Sequence, residues 1–195
     1  MRPSTDDFQF IAGNLALDFV NTIGDRLGEG REYLTSSAEL GRWARLAGVL
    51  PANARLSLRP RQLAAVRAAR ADLYRLFHPV ALGAPTPRSA LSALDARLRT
   101  LAHVRRLSWN RGTVSWAWRR SARDPSAIMA QVCSSAVDLL VSGRFAHVRQ
   151  CDGEHCGWLF VDRSPAGRRR WCSMADCGNR AKARRHLAVV RRASR

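Results

Sequence analysis

Four cysteines in the last quarter of the sequence constrain its fold more than any other feature. Cys151 and Cys156 form one pair, Cys172 and Cys177 form a second, and 15 residues separate the two pairs. Two such pairs can bring four thiolates to one tetrahedral centre, each about 2.3 Å from the metal. Thiolates favour zinc, and the wide spacing within each pair differs from the C-x2-C pairs of a rubredoxin-like iron centre. The pattern predicts one structural Zn²⁺ per chain.

A chance cluster or two disulfides are the alternatives to a metal site. Disulfides are rare in the reducing cytoplasm, and the sequence is expected to be cytoplasmic. It has no run of about 18 apolar residues that would span a membrane, and residues 1–7 contain acid instead of a basic and apolar secretion signal. His155, inside the first pair, is predicted to be a solvent-facing spacer, and Cys133 a buried, inert thiol within a helix.

Charge is distributed unevenly along the chain. The 33 Lys and Arg residues outnumber the 15 Asp and Glu residues, which gives a formal net charge of +18. Residues 1–32 hold six acidic and three basic residues, whereas residues 149–195 hold four acidic and 12 basic ones. Part of the excess could reflect codon usage, because all but one of the basic residues are arginine. The positive field still favours polyanionic partners.

A short basic helix is predicted after the last cysteine. Ala183, Leu187 and Val190 recur at helical spacing and define a narrow apolar face, with basic ridges beside it. A helix of this kind, supported by a zinc site, can lie in or across a groove of duplex DNA. A solvated basic face is the alternative. The residues predicted to contact nucleic acid are Arg168, Arg169, Arg170, Arg180, Lys182, Arg184, Arg185, Arg191 and Arg192.

The rest of the sequence predicts a helix-rich α+β domain over residues 1–146, followed by the zinc finger with its basic helix over residues 147–195. Asn14 and Ser36 are predicted helix caps, and Pro60 suits the first turn of a helix. The N-terminal domain is expected to fold without zinc. Its predicted elements are a short strand and turn at 8–14, helices at 15–23, 37–47, 60–78 and 88–103, a hairpin at 106–118 and a helix at 126–141.

Polar residues at the end of the first predicted helix are candidates for a ligand site. Asp18, Asn21 and Thr22, together with Arg26 or Arg31, could line a small pocket. The favoured alternative is that they form hydrogen bonds that lock this helix to its neighbours. The hairpin tryptophans present a similar choice between an aromatic pocket and a sheet face packed on helices. These tryptophans are Trp109, Trp116 and Trp118.

Two segments resemble known families. Residues 171–182, WCSMADCGNRAK, resemble the signature of the CGNR zinc-finger family, and the first cysteine pair followed by Phe160, Asp162 and Ser164 matches its first half. Residues 13–22, GNLALDFVNT, resemble the opening of the ABATE-type domain that accompanies this finger. The resemblance implies a stress-linked bacterial transcriptional regulator whose finger binds DNA.

These observations predict a zinc-dependent DNA-binding regulator that is not an enzyme. No phosphate-binding loop, dinucleotide motif or nucleophile elbow occurs in the sequence. The N-terminal domain would sense a small effector or form a homodimer, and no membrane contact is expected. In the alternative, the zinc module docks proteins or stabilises an oligomer, and its basic face is solvated or binds RNA nonspecifically.

Overall fold

Helices dominate the computed structural model, which describes residues 8–119, 121 and 123–193. The outer ends of both predicted domains, residues 1–7 and 194–195, lie outside the described residues. The helix-rich α+β fold class is confirmed, and a four-cysteine cluster followed by a helix completes it. The elements are α1 (Leu15–Val20), β1 (Ile23–Gly24), β2 (Arg31–Glu32), α2 (Ser37–Leu46), α3 (Pro60–Ala81), α4 (Arg88–Leu101), β3 (Arg105–Asn110), β4 (Thr113–Trp118), α5 (Ser126–Leu140), β5 (Val148–Gln150), β6 (Leu159–Val161) and α6 (Asn179–Ala193).

Local sequence signals account for the starts of the helices. The Asn14 side chain accepts hydrogen bonds from the backbone N–H groups of Ala16 and Leu17, at 2.9 and 3.3 Å. The Ser36 hydroxyl accepts one from Glu39 N at 3.2 Å. These caps satisfy N–H groups that have no partner within the first turn of a helix. The predicted caps of α1 and α2 are therefore confirmed.

Two predictions near the N-terminus are wrong. The predicted strand within residues 8–14 is absent, and Ala12 N donates to the Asp18 carboxylate at 2.9 Å. Helix α1 ends at Val20, short of the predicted Ile23, which pairs with Glu32 in the two-residue β1–β2 ladder. The two contacts join residues that are six and nine positions apart in the sequence.

One hydrophobic core spans both predicted domains. Helix α1 packs against α3, α5 and β6, and Phe19, Phe77 and Ile128 are buried around it. Strand β6 extends this core, since Phe160 and its two neighbours in the strand are also buried. The zinc finger is thus packed on the N-terminal helices, a position that fixes where its cysteines and α6 lie. Within the described residues, no helix has both the length and the apolar character needed to cross a membrane.

The β3–β4 hairpin stands apart from this core. Its strands pair in an antiparallel ladder, and the turn is made by Arg111 and Gly112, both with positive φ (46° and 80°). Two such residues are typical of a type I′ turn, whose twist suits a hairpin. A second small cluster, which includes Val104 and Ala127 with Trp118 packed against it, anchors the base of the hairpin. The predicted hairpin is confirmed, but most of its apolar face is exposed and not packed on helices.

Candidate metal centre and basic helix

The first cysteine pair lies in the loop that connects β5 to β6. Cys151 N donates to the Trp158 carbonyl at 2.8 Å, and Cys156 N donates to the Gly153 carbonyl at 2.9 Å. A Cβ at Gly153 would lie 3.0 Å from both the Cys156 Cβ and the Cys177 Sγ. Glycine at this position avoids both close contacts while the loop passes next to Cys177.

The second cysteine pair lies at the start of the C-terminal helical segment. The Ser173 side chain caps the π-helical turn Met174–Gly178. This turn leads directly into α6, so Cys177 is located at the base of that helix. Cys172 N donates to the Cys151 Sγ at 3.3 Å, which joins the second pair to the first.

The four sulfurs form a cluster with the dimensions of a tetrahedral metal site. They all lie within 4.8 Å of one another, and the Cys172 Sγ is 3.7 Å from the sulfurs of both Cys156 and Cys177. A tetrahedron with Zn–S bonds of about 2.3 Å has sulfur–sulfur edges of about 3.8 Å, so the donors fit zinc. Four thiolates leave no open position for a substrate. Zinc is therefore a structural cofactor here, as predicted.

Arg180 balances part of the negative charge of the cluster. Its guanidinium donates to the Cys177 Sγ at 3.1 Å. Hydrogen bonds from the other three cysteines, and this one from Arg180, hold the pKa of Cys177 below its usual range. A lowered pKa favours the thiolate, which is the form that binds a metal.

Cys133 and His155 lie outside the cluster, as expected from the sequence. Cys133 is buried in α5, and burial raises its pKa to about 11, so the thiol stays protonated. The His155 side chain is exposed, and its backbone carbonyl accepts a hydrogen bond from Leu27 N at 2.9 Å. Neither side chain is placed to bind the metal.

The predicted nucleic-acid residues differ in what they contact within the protein. One group is exposed and makes no ion pair with any residue in the described part of the chain. This group comprises Arg168, Lys182, Arg185, Arg191 and Arg192.

The other basic residues already have partners. Arg184 forms an ion pair with Glu154 at 2.9 Å, and Arg170 forms one with Asp152 at 2.7 Å. Arg169 donates to backbone carbonyls of the segment before α6, so it supports the local fold. With Arg180 bonded to a cysteine, four of the nine predicted residues would have to exchange a contact in order to meet a phosphate.

Residues that flank α1 form hydrogen bonds with the finger. The sequence indicates that Asn21 bonds to a neighbouring element, but not that this element is the finger. The Asn21 side chain forms two bonds with the backbone of Leu159: Nδ2 donates to the carbonyl at 2.8 Å, and Oδ1 accepts from the N–H at 3.0 Å. Val161 N also donates to the Ala12 carbonyl at 2.8 Å. Asn21 and Leu159 are 138 positions apart, and no spacing rule indicates such a pair.

The remaining candidate ligand residues also bond within the protein. The Thr22 hydroxyl donates to the Phe19 carbonyl at 2.7 Å, and Arg26 donates to the Val20 carbonyl at 2.5 Å. The Arg26 guanidinium lies over the Tyr74 ring, 4.1 Å from its centroid. Together with the bond between Asp18 and Ala12, these contacts match the favoured sequence interpretation, in which the polar residues lock the first helix in place.

Burial of Asp18 should make the protein less stable as the pH rises. Burial raises the pKa of Asp18 from 3.8 to about 6, so the fold favours the neutral acid. The stability from this group is complete below about pH 4 and is lost as the pH rises through about 6. We expect Asp18→Asn to raise the free energy of unfolding by about 1–2 kcal/mol near pH 8, with a much smaller change near pH 4.

Urea unfolding of both proteins at these two pH values measures the effect. Asp138→Asn is the matched control, because Asp138 is an exposed carboxylate on the surface of α5. The expectation is contradicted if Asp18→Asn lowers stability equally at both pH values, or if the control gives the same pH-dependent gain.

The cluster and the fold define this chain as a zinc-finger protein with a helix-rich N-terminal part. A family model named ABATE, with the description "Putative stress-induced transcription regulator", matches residues 13–143, and the model of the CGNR zinc finger matches residues 147–189. The chain therefore belongs to the ABATE family and carries a CGNR zinc finger. Both are regulatory or zinc-finger families and not enzyme families. No curated protein is similar enough to count as a match.

Proposed function

We propose that the protein is a cytoplasmic, non-enzymatic transcription regulator whose finger contacts duplex DNA through α6. The observation that carries this proposal is the exposed surface of that helix. Residues 182–192 are all exposed, and α6 has six basic residues and no acidic one. The zinc cluster at its base holds this charge in a fixed position on the protein.

Exposed residues without ion pairs are the best candidates for phosphate contacts. Lys182, Arg185, Arg191 and Arg192 on α6, with Arg168 before it, can bind a phosphate at no cost in existing contacts. Arg170, Arg180 and Arg184 would contribute only by exchanging a partner, and Arg169 serves the fold. We therefore expect substitutions in the first group to weaken DNA binding more than substitutions of residues that already have a partner.

We assign no effector to the N-terminal part. Asp18, Asn21, Thr22 and Arg26 bond to the protein's own backbone. We propose that they stabilise the fold around α1, with Asn21 holding the finger on the helices, instead of binding a ligand. An effector site and homodimerisation are still predictions from the sequence.

A second candidate function is supported by the apolar residues of α6. Leu187 is 56% exposed, although its spacing from Ala183 predicts a packed face. Exposed apolar side chains that lie together, as Leu187 and Val190 (47% exposed) do on one face of α6, are typical of a surface that docks another protein. In this alternative the basic ridges flank a protein interface and do not contact DNA.

Two single substitutions on α6 distinguish the two functions. Arg185→Ala should weaken binding of the zinc-loaded full chain to duplex DNA about 5- to 10-fold at moderate salt, because one phosphate contact is lost. Arg55→Ala is the matched control, since Arg55 is an exposed arginine outside the finger. Fluorescence anisotropy of a labelled duplex measures both.

Leu187→Ser tests the docking alternative on the same helix. Under the DNA proposal it leaves the salt dependence of duplex binding and the mass in solution unchanged. If Leu187→Ser dissociates an oligomer while Arg185→Ala has no effect on duplex binding, the docking function replaces the DNA function.

A further inference from the structure

The β3–β4 hairpin presents an aromatic face to solvent. Leu107 pairs with Trp116 and Trp109 pairs with Val114, so all four side chains lie on one side of the ladder. Trp109 is 72% exposed and Trp116 is 54% exposed. Monomeric proteins rarely expose contiguous large apolar side chains without a binding role. This pattern indicates that the exposed aromatic face binds a ligand or another macromolecule.

The charge of the hairpin restricts what that occupant can be. Residues 105–119 include four arginines and no acidic residue, and all four arginines are exposed. None of the four forms an ion pair within the described residues. A second copy of the hairpin would bring like charges together, whereas a polyanion would be attracted. The four arginines are Arg105, Arg106, Arg111 and Arg119.

One of these arginines is already held against the aromatic face. The Arg105 guanidinium lies 3.7 Å from the centroid of the Trp116 ring and 5.8 Å from that of Trp118. Stacking fixes the plane of the guanidinium and leaves its N–H groups at the edge, where they can reach a phosphate. An indole face and a phosphate donor are thus placed side by side.

A recess at the base of the hairpin adds a second, independent feature. A cavity of about 310 Å³ lies between Arg105, Trp116 and Trp118 on the hairpin and Leu98 and Ser134 on α4 and α5. Aromatic walls beside an arginine suit a flat ring that carries an anionic group. A nucleotide has both parts.

We propose that the β3–β4 hairpin binds single-stranded nucleic acid, with unpaired bases stacked on Trp109 and on the stacked pair of Arg105 and Trp116, and with phosphates bound by the nearby arginines. The bases must be unpaired, because in a duplex each base face is covered by its neighbours in the stack. Stacking on aromatic side chains together with a basic surface is how proteins bind single strands without reading their sequence. This surface is separate from α6 and goes beyond the function proposed for the finger.

The first test uses the unmodified, zinc-loaded full chain. We expect it to bind an oligothymidylate of about 12 nucleotides at least 5-fold more tightly than an abasic oligomer of equal length and charge. Tryptophan fluorescence should be quenched by the first and not by the second. Equal affinity for the two oligomers would overturn the proposal, because only charge would then be recognised.

The second test assigns the binding to the hairpin. Trp109→Ala and Trp116→Ala should each weaken binding of the oligothymidylate about 5- to 100-fold, whereas Trp109→Phe, which keeps an aromatic face, should retain most of it. Leu107→Ala is the control for lost apolar area. If a variant with both Trp109→Ala and Trp116→Ala binds the oligothymidylate as tightly as the unmodified protein, the proposal is overturned. It is also overturned if this variant has half the mass of the unmodified protein in solution, because a second copy would then cover this face.

The two proposed nucleic-acid surfaces can fail separately. Arg185→Ala should weaken duplex binding but preserve the difference between the thymidylate and the abasic oligomer. The tryptophan variants should preserve duplex binding but lose the difference between the thymidylate and the abasic oligomer. If only the Arg185→Ala result is observed, only the duplex surface on α6 is supported. If only the tryptophan result is observed, only the single-strand surface on the hairpin is supported.

Discussion

Removal of the zinc is expected to unfold more than the finger. Metal binding contributes about 10–16 kcal/mol to the folding of zinc-finger peptides near neutral pH, which equals or exceeds the total stability of about 5–15 kcal/mol of an ordinary domain. Leu159, Phe160 and Val161 of β6 lie in the same core as α1 and α3. When the finger loses its metal, the packing of β6 against this core should be lost.

Hydrogen exchange of the full chain before and after chelation measures how far the unfolding extends. We expect peptides from α1 and from the finger to lose protection together, and Cys172→Ser to give the same pattern without a chelator. Cys133→Ala is the matched control, because Cys133 lies outside the cluster and its substitution should leave one zinc per chain bound.

The same experiment tests the predicted domain boundary. The sequence predicts that residues 1–146 fold without zinc, whereas the packing of β6 favours a shared response. Loss of protection confined to residues 147–193 would show that the two parts fold independently. A finger that stays protected without metal would contradict the structural role of zinc.

The features that could be predicted from the sequence are those that depend on neighbouring residues. The caps Asn14 and Ser36 act within one helical turn, and the turn at Arg111 and Gly112 is set by its own backbone. The cysteine pairs Cys151–Cys156 and Cys172–Cys177 also act locally, because each pair lies within one loop or turn. The four cysteines located the metal centre because their spacing within each pair is itself such a local signal.

The features that could not be predicted depend on which distant surfaces meet. Asn21 and Leu159 bond across 138 positions, so nothing near either residue indicates the other. Periodicity has a related limit, because it identifies an apolar face but not what covers it. The face of α6 that contains Leu187 and the face of the hairpin that contains Trp109 both suggest burial by their pattern, and both are exposed.

The basic helix should account for most of the salt-dependent affinity for duplex DNA. Changing Lys182, Arg185 and Arg191 together to alanine removes three exposed positive charges and no ion pair within the described residues. Each lost phosphate contact lowers the slope of log affinity against log salt by about 0.9, so the slope should fall by about 2.7. At about 0.1 M salt the affinity should fall roughly 10²- to 10³-fold.

The decisive measurement is this salt dependence, determined for the zinc-loaded full chain, the triple α6 variant and a charge-matched control. The control replaces Arg55, Arg88 and Arg144, three exposed arginines outside the finger, with alanine. We predict that the α6 variant keeps its zinc and its helical content but binds duplex DNA more weakly. Its slope of log affinity against log salt should be smaller by about 2.7, while the control keeps nearly the full slope. An α6 variant that is folded and zinc-loaded but binds duplex DNA with the affinity and slope of the unmodified protein would contradict this prediction.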